Sequence, residues 1–148
     1  MRYITYVRKK MNQDKITYLE MLQTVIARMA SNSFHIKGWT ISLIPALLAL
    51  MVSKEELKQY SWFLLIPLVL FWMLDAYYLW QEQLYRKLYQ RVVCSGECNH
   101  LFSMNTSEFK QKGWPEWMLG GKVFRSNTLL IFYLPLLILI LIIWCHGK

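Results

Sequence analysis

The sequence predicts an all-α membrane protein, with three transmembrane helices and amphipathic helices beside them. Three observations predict it. Hydrophobic residues make up 55% of the 148 and charged ones 18%, too apolar for an ordinary soluble domain and too charged for bare spans. Three apolar runs each approach the roughly 20 residues a helix needs to cross a bilayer. Outside them, apolar residues recur at three- and four-residue spacing, the helical period.

The first 13 residues are polar and basic, with Arg8, Lys9 and Lys10 together, and read as a basic arm, disordered or lying on a surface. Residues 14–34 read as an amphipathic helix. Leu19, Leu22, Ile26, Met29 and Ser33 form a short alternating seam, which suits either another helix of the same chain or a second copy. Small residues around Ala30, Ser31 and Ser33 allow close backbone approach. The oligomer contact is therefore assigned to Leu19, Leu22, Ile26, Met29, Ser31 and Ser33. Residues 35–53 form the first span. Trp39 is an interfacial anchor and Lys37 snorkels toward the headgroups.

The short polar connection 53–60 forces an antiparallel hairpin. From Ser61 to Val92 the sequence reads as one helix of roughly 48 Å at 1.5 Å per residue. Its first part, 61–80, spans the membrane, with Pro67 inside it. The rest, to Val92, is amphipathic, with Leu84, Leu88 and Val92 in register and Glu82 four residues before Arg86. Residues 93–127 form a cytoplasmic or interfacial segment punctuated by Gly96, Gly113, Pro115 and Gly120–Gly121. Within it, Asn105 followed by Glu108 has capping-box spacing, and Trp114, Trp117 and Met118 suit a membrane surface. Residues 128–145 carry no charge and form the third span. No secretory signal is expected, because the first long apolar run starts near residue 39.

Orientation follows from the 17 Lys and Arg residues. The hairpin loop and C-terminal tail hold only Lys54, Lys58 and Lys148; all the others lie in the N-terminal part or in 81–127. The positive-inside rule then puts the N-terminus in the cytoplasm and the C-terminus outside. The net charge of +8 is spread among apolar segments, so topology and anionic lipids account for it without nucleic acid.

Candidate chemistry is sparse. Cys94, Cys98 and His100 form a C-x3-C-x-H cluster without the second ligand pair that a zinc site wants, so neither metal nor cofactor is expected. No phosphate loop, metalloprotease motif or nucleophile elbow is present, and nothing points to an enzyme. Asp75 is the informative residue. A carboxylate inside a span costs several kcal/mol unless paired or hydrated. It lies about 21 Å past Ser61, level with residues 37–40 of the antiparallel first span. It therefore either pairs with Lys37, or bonds Thr40 or Trp39, or lines a pore in an oligomer as a ring of carboxylates.

Three stretches together, ARMASNSFHIKGWT, FWMLDAYYLWQEQLYRKLY, and LFSMNTSEFK with the later VFRSNTLLIFYLPLL, resemble the RipA-like family of octameric bacterial membrane proteins. The resemblance implies a ring-forming homo-octamer in the bacterial inner membrane. The layout also resembles SLATT-type membrane effectors of bacterial conflict systems, which implies a channel-like or membrane-perturbing role in phage defence. The alternative is a non-conducting scaffold or accessory subunit that docks a cytoplasmic partner protein. An internal repeat or a pair of broken helices, the mark of a small transporter, is absent from the sequence.

Overall fold

The computed structural model describes residues 2–94, 103–109 and 123–147. Among them there are helices and turns and no strand. Helix α1, Arg2–Val52, runs 51 residues without a break, about 76 Å at 1.5 Å per residue. The expected arm, amphipathic helix and first span are thus one element, and of the two forms expected for the basic arm the disordered one is corrected to helix. The physical reason is propagation. Once the long helix is nucleated, each added Arg, Lys, Met or Gln costs little, and no Gly or Pro interrupts the chain before Gly38. Pro45 lies inside the apolar part.

A tight connection follows, with the four-residue α2 (Glu55–Lys58) and a 3₁₀ turn at Ser61–Leu64. Helix α3, Leu65–Cys94, then runs back along α1. Pro67 sits in its first turn, where no intrahelical partner is lost. The expected continuation past Trp80 holds, two residues beyond Val92. The expected Glu82–Arg86 pair is formed at 2.7 Å. Helix α4, Asn127–His146, matches the third expected span to within a residue at each end. Three helices, Gln13–Val52, Ser61–Cys94 and Asn127–His146, are long and apolar enough to cross a membrane.

Two clusters hold the helices together. The larger lies toward the hairpin end, where Ile44 and Leu48 of α1, Leu68, Trp72 and Ala76 of α3, and Leu129, Tyr133 and Ile140 of α4 interlock. The smaller lies at the open end, where Tyr18 and Leu22 of α1 meet Leu88 of α3, with Phe109 and Val92 against them. The hairpin end is closed tightly. A Cβ at Gly147 would stand 2.6 Å from Lys58 Cβ and 2.9 Å from its carbonyl carbon, so the end of α4 seats directly on the connection. Ser61 is fully buried there, its hydroxyl donating to the Lys58 carbonyl at 2.7 Å.

At the open end the segment 103–109 straps across the helix pair. The Tyr18 hydroxyl donates to the Ser103 carbonyl. Arg91 bonds Glu108 and lies 4.3 Å over the Phe109 ring. The expected capping box is corrected here. Asn105 Oδ1 does accept from the Ser107 amide at 2.9 Å, but only a single 3₁₀ turn follows, Ser107–Phe109. Glu108 goes to Arg91 rather than completing the box.

Candidate functional site: the buried carboxylate

Asp75 lies in the first half of α3, one turn past Trp72, and is fully buried. Helix α1 brings Ser33 and Lys37 to it, one turn apart and hence on one face. The Lys37 ammonium lies 2.6 Å from Asp75 Oδ2 and 2.8 Å from Oδ1, and it donates to Ser33 Oγ at 2.8 Å. The Ser33 hydroxyl in turn donates to Asp75 Oδ1. Helix α4 completes the site, with the Tyr133 hydroxyl 3.2 Å from Oδ2 and 3.3 Å from the Phe71 carbonyl. One carboxylate thus collects donors from two other helices, and among the described residues no buried side-chain polar atom lacks a partner.

Aromatic packing fixes where Tyr133 sits. Its ring lies parallel to Trp72 at 5.4 Å, and Phe124 stacks on Trp72 at 4.5 Å. The Trp72 indole N–H donates to the Phe124 carbonyl at 3.3 Å. The entry of α4 is therefore locked onto α3 one turn from the carboxylate, which sets the height of the tyrosine hydroxyl.

Lys37 is the most exposed member of the cluster: its side chain is 19% exposed against 0% for that of Asp75. That is the geometry of a snorkelling lysine whose head has turned inward to a buried partner instead of outward to water. Toward the hairpin end the walls are apolar, made of Ile44, Leu48, Leu64, Leu68, Leu129 and Ile140. The polar cluster is therefore bounded by apolar side chains on its hairpin side.

Of the residues expected at this depth, Lys37 is on Asp75 and Thr40 is beside it but not on it. Thr40 is fully buried, its hydroxyl donating to the Ile36 carbonyl at 2.8 Å next to the Tyr133 hydroxyl. Trp39 faces outward, 63% exposed. The assignment of Leu22 and Ser33 to an oligomer contact is corrected. Leu22 is buried against Tyr18 and Leu88 of its own chain, and Ser33 is spent on Asp75. Leu19, Ile26 and Met29 are half-buried, and Ser31 is exposed. Sequence reasoning missed Tyr133 as a site residue. The signal was the lone hydroxyl in the middle of an otherwise apolar span, a group that needs a partner there.

Cys94 is a free, exposed thiol; Cys98, His100, Trp114, Trp117 and Met118 lie outside the described residues. Among the described residues no cluster of His, Cys, Asp and Glu could hold a metal ion. Comparison of the chain with known protein families, with characterised proteins and with solved structures finds no match.

Proposed function

We propose that the chain is the subunit of a homo-oligomeric inner-membrane scaffold, which anchors a stalk of paired helices for a cytoplasmic partner protein and does not conduct through an acidic ring. The observation that carries this reading is the inward commitment of Asp75. An acidic pore needs a carboxylate facing water, whereas this one is fully buried and neutralised by its own subunit's Lys37. Removing either charge from such a pair leaves the other stranded, and this favours a structural role.

The rest of the proposal has separate supports. The Lys and Arg distribution supports an N-terminus in the cytoplasm and a C-terminus outside, and a basic open end near anionic lipids. On that topology roughly 48 Å of α1, from Arg2 to Ser33, projects from the membrane at 1.5 Å per residue. The resemblance to the RipA-like family supports a bacterial octamer. Only 17% of the apolar window of α4 is buried within the subunit, which leaves ample surface for neighbours or lipid. The competing reading is a channel-like effector in phage defence, supported by the layout. It would have to use a lining other than Asp75.

The test measures oligomer size by native mass spectrometry and cation flux in vesicles, for the wild type and Asp75→Asn side by side. The expected outcome is an oligomer of about eight copies, on the resemblance, and no cation flux that depends on Asp75. An intact ring whose cation flux falls clearly in Asp75→Asn would overturn the scaffold reading.

A further inference from the structure

We propose that the Lys37–Asp75 pair is a proton-released latch: when Asp75 takes up a proton, Lys37 leaves it for a phosphate of the lipid headgroup layer, and α1 loses its ionic hold on α3. This rests on the reading of the cluster as a lock within the subunit and adds its regulation.

Helix α1 presents Ser33, Lys37 and Thr40; α4 presents Tyr133; α3 itself presents Trp72 and Ala76. Among the described residues, Lys37 is the one cation on Asp75, and the other groups named are neutral. His35, also on α1, is exposed and lies edge-on to Phe34. Asp75 is the single acid between Glu56 and Glu82, α1 carries none from Met21 to Val52, and α4 carries none. One proton therefore decides the charge of the whole cluster.

Both charge states can be satisfied by the groups present. With Asp75 ionised, Lys37, Ser33 and Tyr133 all donate to it. With Asp75 protonated, the acid O–H can donate to Ser33 Oγ while Oδ2 still accepts from Tyr133. Ser33 can then donate to the carbonyl one turn back in its own helix, a common serine bond. The proton comes from water and adds to a carboxylate oxygen; no other bond changes. What the protonated state no longer holds is the ammonium. A cation beside a neutral acid in hydrocarbon is costly, and Lys37 has an exit, because it is the partly exposed member. Its four-carbon stem lets the head reach the headgroup layer, where phosphate is a strong partner for an ammonium. A buried Arg would not leave as readily, because its planar fork would hold both oxygens.

The experiment uses the full chain in nanodiscs of phosphatidylcholine and phosphatidylglycerol. A water-soluble amine-acylating reagent is applied at one neutral pH, and mass spectrometry compares Lys37 with exposed Lys54 as internal reference. The expected result is a Lys37 that labels far less than Lys54 in the wild type. It should label several-fold more in Asp75→Asn, which mimics the protonated acid, and stay protected in Asp75→Glu. Equal Lys37 labelling in wild type and Asp75→Asn overturns the latch. A second measurement needs no variant at Asp75. Asp14 is the only other aspartate, so isotope-labelled aspartate in an Asp14→Asn background isolates Asp75 by infrared spectroscopy. On acidification a protonated-carboxyl band should appear while the helical amide band is unchanged. A band that never appears, or appears only as helix is lost, also overturns the proposal. Cation flux tests the underlying scaffold reading; Lys37 labelling tests whether the lysine leaves a neutral partner, and the carboxyl band tests the proton.

Discussion

Among the described residues, two ion pairs join segments far apart in sequence, one made by a lysine and one by an arginine. Lys37–Asp75 joins α1 to α3 amid the apolar helices, with side chains 19% and 0% exposed. Arg91–Glu108 joins the end of α3 to the strap, with side chains 51% and 66% exposed. Burial is the main difference between them, although Asp75 also accepts from Ser33 and Tyr133 and Arg91 also lies over the Phe109 ring. In the first pair the fully buried Asp75 depends on Lys37 for its charge, whereas Lys37 has a way outward without it. In the second, water stands ready to replace either partner, and the attraction is mostly screened. One pair should therefore behave as a joint and the other as decoration on a joint made by Phe109.

The sharpest way to break this contrast is Lys37→Met, which keeps the stem and deletes the charge. Asp75 would then be buried with two neutral donors and no cation. Stranding a buried charge costs about 3–5 kcal/mol, so the expected outcome is a large drop in thermal stability in detergent. Lys37→Met combined with Asp75→Asn should recover most of the loss, since removing both charges is far cheaper than removing one. Asp75→Asn alone should fall between them, because the stranded Lys37 can turn outward. Equal losses for Lys37→Met and the double variant would show that the pair is not coupled.

A smaller effect is expected at Tyr133. Tyr133→Phe keeps the stack on Trp72 and removes only the hydroxyl that reaches Asp75. The loss should be about 0.5–1.5 kcal/mol, the net worth of a typical hydrogen bond, rising toward the upper end because the acceptor is charged. Thermal unfolding of this variant beside Lys37→Met ranks the two helices that hold Asp75. If Tyr133→Phe costs as much as Lys37→Met, α4 rather than α1 is the main support of the carboxylate.

How much of this was legible in the sequence follows from what each inference needed. The Lys37–Asp75 pair needed only depth. An antiparallel hairpin and a fixed helical rise put two charges at one level, and charges in hydrocarbon pair. Tyr133 needed the rotation of α4, which an apolar-all-round span does not encode. Ser33 was visible as a seam residue, but the seam itself fits two partners, and only the packed structure assigns it to the same chain. The continuity of α1 is not legible because basic composition suits a disordered arm or a surface-lying one equally, although those residues are good helix formers when a long helix already exists. The strap was half legible: the Asn105 turn is local, whereas Arg91 meeting Glu108 depends on where the chain returns.

The smallest effect is expected at the exposed pair. In Glu108→Gln the Arg91 guanidinium loses that ionised partner and keeps the Phe109 ring 4.3 Å away. Both side chains of the pair are about half or more exposed, so the expected loss lies between 0 and about 1 kcal/mol and should shrink further in high salt. Phe109→Ala should cost more than Glu108→Gln, because it removes apolar contact with the Tyr18, Leu22 and Leu88 cluster as well as the cation–ring contact. The measurement is thermal stability of the two variants at low and high ionic strength. Under the contrast drawn above, Phe109→Ala is insensitive to salt and the larger of the two. If Glu108→Gln proves the larger, and its effect persists in salt, the strap is held by charge. The open end would then work by the same rule as the buried centre, and burial would not be what distinguishes the two pairs.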